Sequence, residues 1–374
     1  MWRGCADPDP RRPVLLYLHI PFCHRVCPYC SFHKHTPGNI SVPGFTDALI
    51  SEIRARVTTP PRTIYLGGGT PSMLPPAQLR KLFTALRDTC DLPNAAEVTL
   101  EANPATFDAA KAALFRTLGV TRVSLGIQSF APHVLHTLGR EHDPNQAADS
   151  VKLLHEAGIP RINIDLMFSV PGQTPEDWAR TLETAISLQP HHISAYNLTY
   201  EEDTAFLESL RDGTFRADED ADARMFGMAE DLLEKAGFEH YETSNYARPG
   251  MRSTHNEGYW NGEDYLGLGP SAVSTIGHIR SRNIADTAAY MRMIASIGNA
   301  TTESEELDTA ARRIERIALG LRTSAGIQLD LLDPTGLARA RILADEGLAR
   351  IADARIVPTG RGRALVDAIA AELI

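Results

Sequence analysis

Three cysteines lie within eight residues of each other in the run Cys23-His24-Arg25-Val26-Cys27-Pro28-Tyr29-Cys30. Thiolates ligate iron-sulfur clusters and zinc, and a Cys-x3-Cys-x2-Cys loop can hold three irons of a [4Fe-4S] cluster while the fourth iron stays open to a further ligand. Two other readings share the same residues. Structural zinc would take a fourth ligand from His24, His33 or His35, and a histidine completing the cluster would close the open iron. The chain has five cysteines, an odd number, and the tight spacing of these three favours a metal group over a disulfide framework. Cys90, after an amphipathic stretch, reads as a packed thiol, and Cys5 receives no role. A second set of polar or flexible residues is spread along the chain: Gly67-Gly68-Gly69-Thr70-Pro71, Glu101, Gln128, Arg140 and Asp165. Glycines let a ligand approach backbone donors closely, although a glycine run alone is more often a tight turn.

The elements that must position these residues are apolar, β-branched runs alternating with amphipathic stretches. Candidate strands are 14–20, 63–66, 97–101, 122–127, 161–167 and 191–197; candidate helices between them include 45–57, 76–88, 106–118, 146–157 and 175–188. Strand and helix repeated six times predict an α/β fold, a partial (β/α)6 TIM-like barrel, whose chemistry belongs at the C-terminal strand ends. Cys23, Gly67 to Pro71, Glu101, Gln128, Asp165 and Tyr196 all fall there. The stretch 237–271 is rich in aromatic, His, Asn and Gly residues and reads as loops around short strands, too polar for core. From 302 to 374, amphipathic helices around a short strand-like stretch resemble a small winged-helix-like module with a packing role. The expected division is 1–13 as N-terminal segment, 14–250 as barrel, 251–301 as linking segment and 302–374 as C-terminal module.

Composition bounds the partners. With 374 residues, 37 Lys+Arg against 47 Asp+Glu and a formal charge of -10, the chain lacks the basic surface that a polyanion needs, so nucleic acid is not an expected partner. No run of about 18 apolar residues and no apolar leader segment is present, which points to the cytoplasm.

Tyr17-x-His19-Ile20-Pro21-Phe22-Cys23 leading into the cysteine loop resembles the radical S-adenosylmethionine (SAM) superfamily, in the branch that holds oxygen-independent coproporphyrinogen III oxidases and HemW-type haem chaperones. The resemblance implies a radical SAM type of barrel, with Cys23, Cys27 and Cys30 on a [4Fe-4S] cluster whose open iron binds SAM. It further implies SAM contacts from Tyr17, Gly68, Gly69, Thr70, Glu101, Gln128, Arg140 and Asp165. The oxidases carry a fourth cysteine two residues after the third, where this chain has Phe32, and an N-terminal extension, whereas 22 residues precede Cys23 here. The motif His255-Asn256-Glu257-Gly258-Tyr259-Trp260 is similar to the His-Asn-x-x-Tyr-Trp sequence of the chaperone group. By that resemblance His255 would be an axial haem ligand with Tyr259 and Trp260 packed on the porphyrin; the bland reading is a structural loop with His255 hydrogen-bonded and both rings packed. The implied function is haem transfer to an acceptor apoprotein, such as a respiratory haem enzyme, with a haem donor, a homodimer and peripheral membrane association all compatible. The alternative is a radical SAM enzyme, such as the oxidase. Whether SAM is cleaved stays open at this point.

Overall fold

The computed structural model describes residues 14–374, so Cys5 and the expected N-terminal segment lie outside the described residues. Six strands run parallel in chain order: β1 (Leu15–Ile20), β2 (Thr63–Gly68), β3 (Glu97–Ala102), β4 (Arg122–Gln128), β5 (Arg161–Phe168) and β6 (His192–Asn197). Their near-continuous apolar runs suit strands covered on both faces. Leu15, Leu16, Leu18 and Ile20 of β1, for example, are all fully buried.

Helices return the chain between them: α1 (Val42–Arg56), α2 (Pro76–Cys90), α3 (Ala109–Leu118), α4 (Pro132–Thr137), α5 (Pro144–Glu156) and α6 (Pro175–Ser187). In α2 the buried Leu79, Leu82, Phe83 and Leu86 recur at helical spacing and form one inward face, and Cys90 is packed at its end. Capping boxes start two of the helices. Asp143 and Gln146 bond each other's backbone at α5, and Thr174 and Asp177 do the same at α6.

After α7 (Ala205–Arg211) and α8 (Glu219–Lys235), the sheet grows at both edges. The strands β7 (Glu239–Glu242) and β8 (Asn245–Ala247) add antiparallel beyond β6. A short helix, α9 (Thr254–Trp260), then leads to β9 (Tyr265–Leu268), which lies parallel to β1, and to β10 (Val273–Ile276) and β11 (Ile279–Asn283). α10 (Thr287–Ile297) packs on α1, and β12 (Thr301–Glu306) completes a 12-stranded sheet.

Two expectations need correction here. The stretch 237–271 is not peripheral: Tyr241, Tyr246, His240 and His255 are all buried. Polar groups on neighbouring strands bond its buried polar atoms, as in the 2.7 Å contact between His192 Nε2 of β6 and the Tyr241 hydroxyl, so its rings can pack as core. The C-terminal module also starts later than residue 302, because β12 pairs antiparallel with β11 and belongs to the large sheet.

That module is α11 (Thr309–Leu321), β13 (Ile327–Gln328), α12 (Pro334–Asp345), the hairpin β14 (Ala349–Ala352) and β15 (Arg355–Pro358), α13 (Gly360–Arg363) and α14 (Val366–Leu373). It has its own apolar cluster, built on Ile317, Leu321, Leu343, Ile356 and Ile369. Arg322 pairs with Glu242 of β7 at 3.0 Å, and Arg363 with Glu230 of α8 at 2.6 Å, which ties the module to the sheet.

Candidate functional site: a thiol-lined cavity at the strand ends

A cavity of about 450 Å³ opens at the C-terminal ends of the parallel strands, and strands β2 to β6 all contribute to its wall, so the sheet curves around it. Cys23, Cys27 and Cys30 line it together with Gly68, Gly69, Thr70, Glu101, Gln128, Arg140 and Asp165. The sequence-expected residues therefore converge, with one exception. Tyr17 does not border the cavity; it stacks on Tyr65 and donates its hydroxyl to His19 Nδ1 at 3.1 Å.

That exception explains how the cysteine loop is held. His19 Nε2 lies 2.8 Å from the His33 carbonyl oxygen, so Nε2 carries the proton and Nδ1 accepts from Tyr17. Burial lowers the His19 pKa to about 4, which keeps the ring neutral in this role. Backbone bonds from Cys23 N to the His35 carbonyl (3.0 Å) and from His35 N to the Pro21 carbonyl (2.9 Å) close the loop on itself. The glycine run lies directly beneath: Gly69 N donates to the Ile20 carbonyl at 2.8 Å, and a Cβ on Gly69 would stand 2.7 Å from the Phe22 carbonyl oxygen. Only glycine allows that approach. Gly68, at φ 110°, would drive a Cβ into the His19 ring.

The donor set suits a cluster better than a single zinc ion. Ligands of one tetrahedral zinc, each about 2.3 Å from the metal, have sulfurs about 4 Å apart. Among the described residues the one group of three ligand atoms within 4.8 Å of one another is Glu230, Glu234 and His240, not the cysteines. That acidic group already faces the Arg363 guanidinium. His35 is not free to complete a zinc site, since its two ring nitrogens lie 2.7 Å from the Thr36 carbonyl and the Thr287 hydroxyl. The cysteine thiols instead meet Thr70, 3.5 Å from Cys23 Sγ, and Arg140, 3.7 Å from Cys27 Sγ. The guanidinium would face the negative charge that a thiolate-ligated metal group carries.

The opposite wall is acidic and buried. Glu101 accepts from the Tyr65 hydroxyl at 2.8 Å and from Gly68 N at 3.0 Å, yet burial pushes its pKa up to about 7. Burial also raises Asp165, which accepts from Ser124 Oγ at 2.9 Å and from Asn163 Nδ2 at 2.7 Å. Arg140 spends Nη2 on Asn103 Oδ1 (2.7 Å) and the Gly126 carbonyl (2.6 Å), while its buried Nε has no partner. An orphaned guanidinium N–H at a cavity wall fits an anionic group of a ligand. Gln128 reaches the rim from a left-handed backbone at φ 70°. Sequence reasoning missed Arg122, a cation at the head of an apolar strand, which lines the cavity floor while 1% exposed. A charge opening such a buried run was the signal that could have found it.

His255, expected from the resemblance as an axial haem ligand, lies on α9. Its ring is fully buried on α9, with Nδ1 2.8 Å from the Thr63 hydroxyl and Nε2 3.0 Å from the Tyr259 hydroxyl. Burial, with Arg122 and Arg62 nearby, lowers its pKa to about 3. Trp260 meets Tyr241 edge to face. Together these residues wedge α9 against the N-terminal ends of β2 and β3, and the same helix brings Asn256 to the wall of the cavity that the cysteines line.

Residues 17–185 match the model of the radical SAM superfamily, and the fold and the thiol-lined site define a protein of that class. The heme chaperone HemW of Mycobacterium tuberculosis is 37% identical over 98% of this chain and 96% of its own length; that of Bacillus subtilis is 34% identical over 93% and 96%. This chain belongs to the HemW family of heme chaperones. Its structure is also similar to that of coproporphyrinogen III oxidase (HemN) of Escherichia coli, with a TM-score of 0.85 at 25% identity, covering 98% of this chain and 91% of that one.

Proposed function

We propose that this protein carries haem to an acceptor apoprotein and holds SAM on a [4Fe-4S] cluster as part of the same complex. The observation that supports this reading best is the end-to-end similarity to heme chaperones, which extends over 98% of the chain and so includes α9 and the C-terminal module. Cys23, Cys27 and Cys30 would hold the cluster, and its open iron would supply the anchor for the amino and carboxylate groups of SAM. Around that anchor, Arg140 Nε would take the carboxylate, Glu101 and the backbone of Gly68, Gly69 and Thr70 would take the amino group, and Gln128 and Asp165 would hold the ribose. Tyr17 acts through His19, holding the loop that carries the cysteines. Among the described residues no helix is long and apolar enough to cross a membrane. We place the protein in the cytoplasm, reaching membrane-bound acceptors through contact with them; a haem donor and a second copy of the chain are compatible partners.

Glu101 gives this arrangement a pH dependence. Its folded-state pKa near 7 means that it is largely protonated below that pH, and a SAM ammonium group favours the ionised form. SAM affinity is therefore expected to rise as pH increases through about 7, by up to about tenfold per unit on the acidic side. Equilibrium binding of SAM to the reconstituted protein checks this. Glu101→Gln should bind more weakly with a flat profile, and a flat profile in the unmodified protein would move the amino group elsewhere.

The likeness to the oxidase favours one other reading, decarboxylation of coproporphyrinogen III. The deciding experiment mixes haem-loaded protein with a respiratory apoenzyme and, in parallel, supplies reduced protein with SAM and coproporphyrinogen III. Haem appearing on the apoenzyme with no porphyrinogen turnover is the expected result. Turnover without haem transfer would overturn the proposal in favour of the oxidase.

A further inference from the structure

We propose that Arg122, at the floor of the cavity, binds a carboxylate, and that this carboxylate is a propionate of haem docked at α9. The inference deepens the haem-carrier reading, on which it rests, by assigning a contact to the cargo. Arg122 is the first residue of β4, is 1% exposed and lines the cavity, yet its Nε and Nη1 have no hydrogen-bond partner and no described acid forms an ion pair with it. A buried cation without a bonded anion is costly to keep, and a cavity beside it gives a ligand anion access to it.

The acids around Arg122 are already engaged. Glu97 and Asp165 act on it through space. Glu97, however, takes Ser253, Thr254, His255 and Arg161, and Asp165 takes Ser124 Oγ at 2.9 Å and Asn163 Nδ2 at 2.7 Å. The SAM carboxylate belongs elsewhere too. Arg140, 3.7 Å from Cys27 Sγ, stands at the cluster end, whereas Arg122 and Gln128 begin and end β4 and their backbones are about 20 Å apart at the usual strand rise. One carboxylate anchored on the cluster cannot serve both guanidinium groups.

The wall around Arg122 points to the cargo. Tyr65, Ser124 and Ser194 line the cavity with hydroxyls, and Asn256 reaches it from α9 with a side-chain amide that no described group hydrogen-bonds. Arg122 is also close enough to the adjacent His255 to act on its ring. A ligand docked at α9 therefore has a cation and a free amide within the cavity beside it. Haem carries two carboxylates on flexible two-carbon arms, and a guanidinium grips a carboxylate through two parallel N–H bonds that strengthen away from water.

The test compares haem with haem dimethyl ester in anaerobic titrations of the reconstituted protein, with iron content, SAM affinity and thermal stability measured on each sample. The unmodified protein is expected to bind haem at least tenfold more tightly than the ester. Arg122→Met, which keeps length and loses charge, should bring the two affinities within about twofold, and Arg122→Lys should restore part of the preference. SAM affinity should stay within about twofold in both variants, and the haem-free Arg122→Met protein should melt no lower than the unmodified one, because it has lost a buried charge without a bonded partner. Equal affinity for haem and ester in the unmodified protein, or an unchanged preference in a folded Arg122→Met, would overturn the assignment. Loss of SAM affinity with the haem preference intact would overturn it by giving Arg122 to the SAM carboxylate. Absence of any haem binding in the unmodified protein with its cluster intact would instead sink the carrier reading.

Discussion

Serine in place of Cys23, Cys27 or Cys30 should abolish iron retention and SAM binding together, with SAM affinity falling at least about a hundredfold, or about 2.7 kcal/mol. Serine is close to cysteine in size, so a purely structural thiol would tolerate the change. These three side chains, however, line the cavity and are not part of the apolar core. No other described group of three metal-ligating side chains borders that cavity to replace one of them. Iron content and absorbance after anaerobic reconstitution, read beside SAM binding and far-UV circular dichroism, check the result. The fold should survive in all three variants. A variant that loses iron yet binds SAM at the original affinity would show that the open iron is not the anchor.

The second large effect is on stability and comes from the other end of the strands. Glu97, fully buried at the head of β3, accepts from Ser253 Oγ (3.2 Å), Thr254 N (3.0 Å), His255 N (3.3 Å) and Thr99 Oγ1 (3.2 Å), and pairs with Arg161 at 3.3 Å. One carboxylate thus anchors the first turn of α9 and closes that end of the sheet. Glu97→Ala would strand those donors and the Arg161 charge in low dielectric, at a cost of about 3 to 5 kcal/mol. Chemical denaturation should register that loss, and Glu97→Gln, which keeps shape and two acceptor sites, should lose about half as much. Equal stability of Glu97→Ala and the unmodified protein would show that α9 is held by its rings alone.

Much of this architecture was legible in the residues. The apolar runs that became β1 to β6 needed only their β-branched composition and the helices between them, and the strand-end rule gathered Glu101, Gln128 and Asp165, whereas Arg140, beyond α4, was legible only through the family resemblance. What stayed hidden depended on contacts between distant segments. Tyr17 reads as a ligand contact in sequence, but its hydroxyl is taken by His19, two residues on, in a bond that exists only because His33 folds back over the strand end. Polarity made 237–271 look like surface. Glu97, Thr63 and His192, from three separate strands, supply the partners that allow His255 and Tyr241 to be buried. The β12 strand, with Glu303, Glu305 and Glu306, carries no apolar alternation to reveal it; it exists because β11 offers an open edge for pairing.

The central claim is that this chain binds haem as cargo beside a SAM-ligated cluster. The most direct measurement is a haem titration of the anaerobically reconstituted protein, monitored in the haem absorption region with cluster absorbance recorded in the same sample. One haem per chain, bound with a distinct ligated spectrum while the cluster stays intact, is the predicted result. A spectrum identical to free haem at every ratio, with iron and SAM still bound, would contradict it.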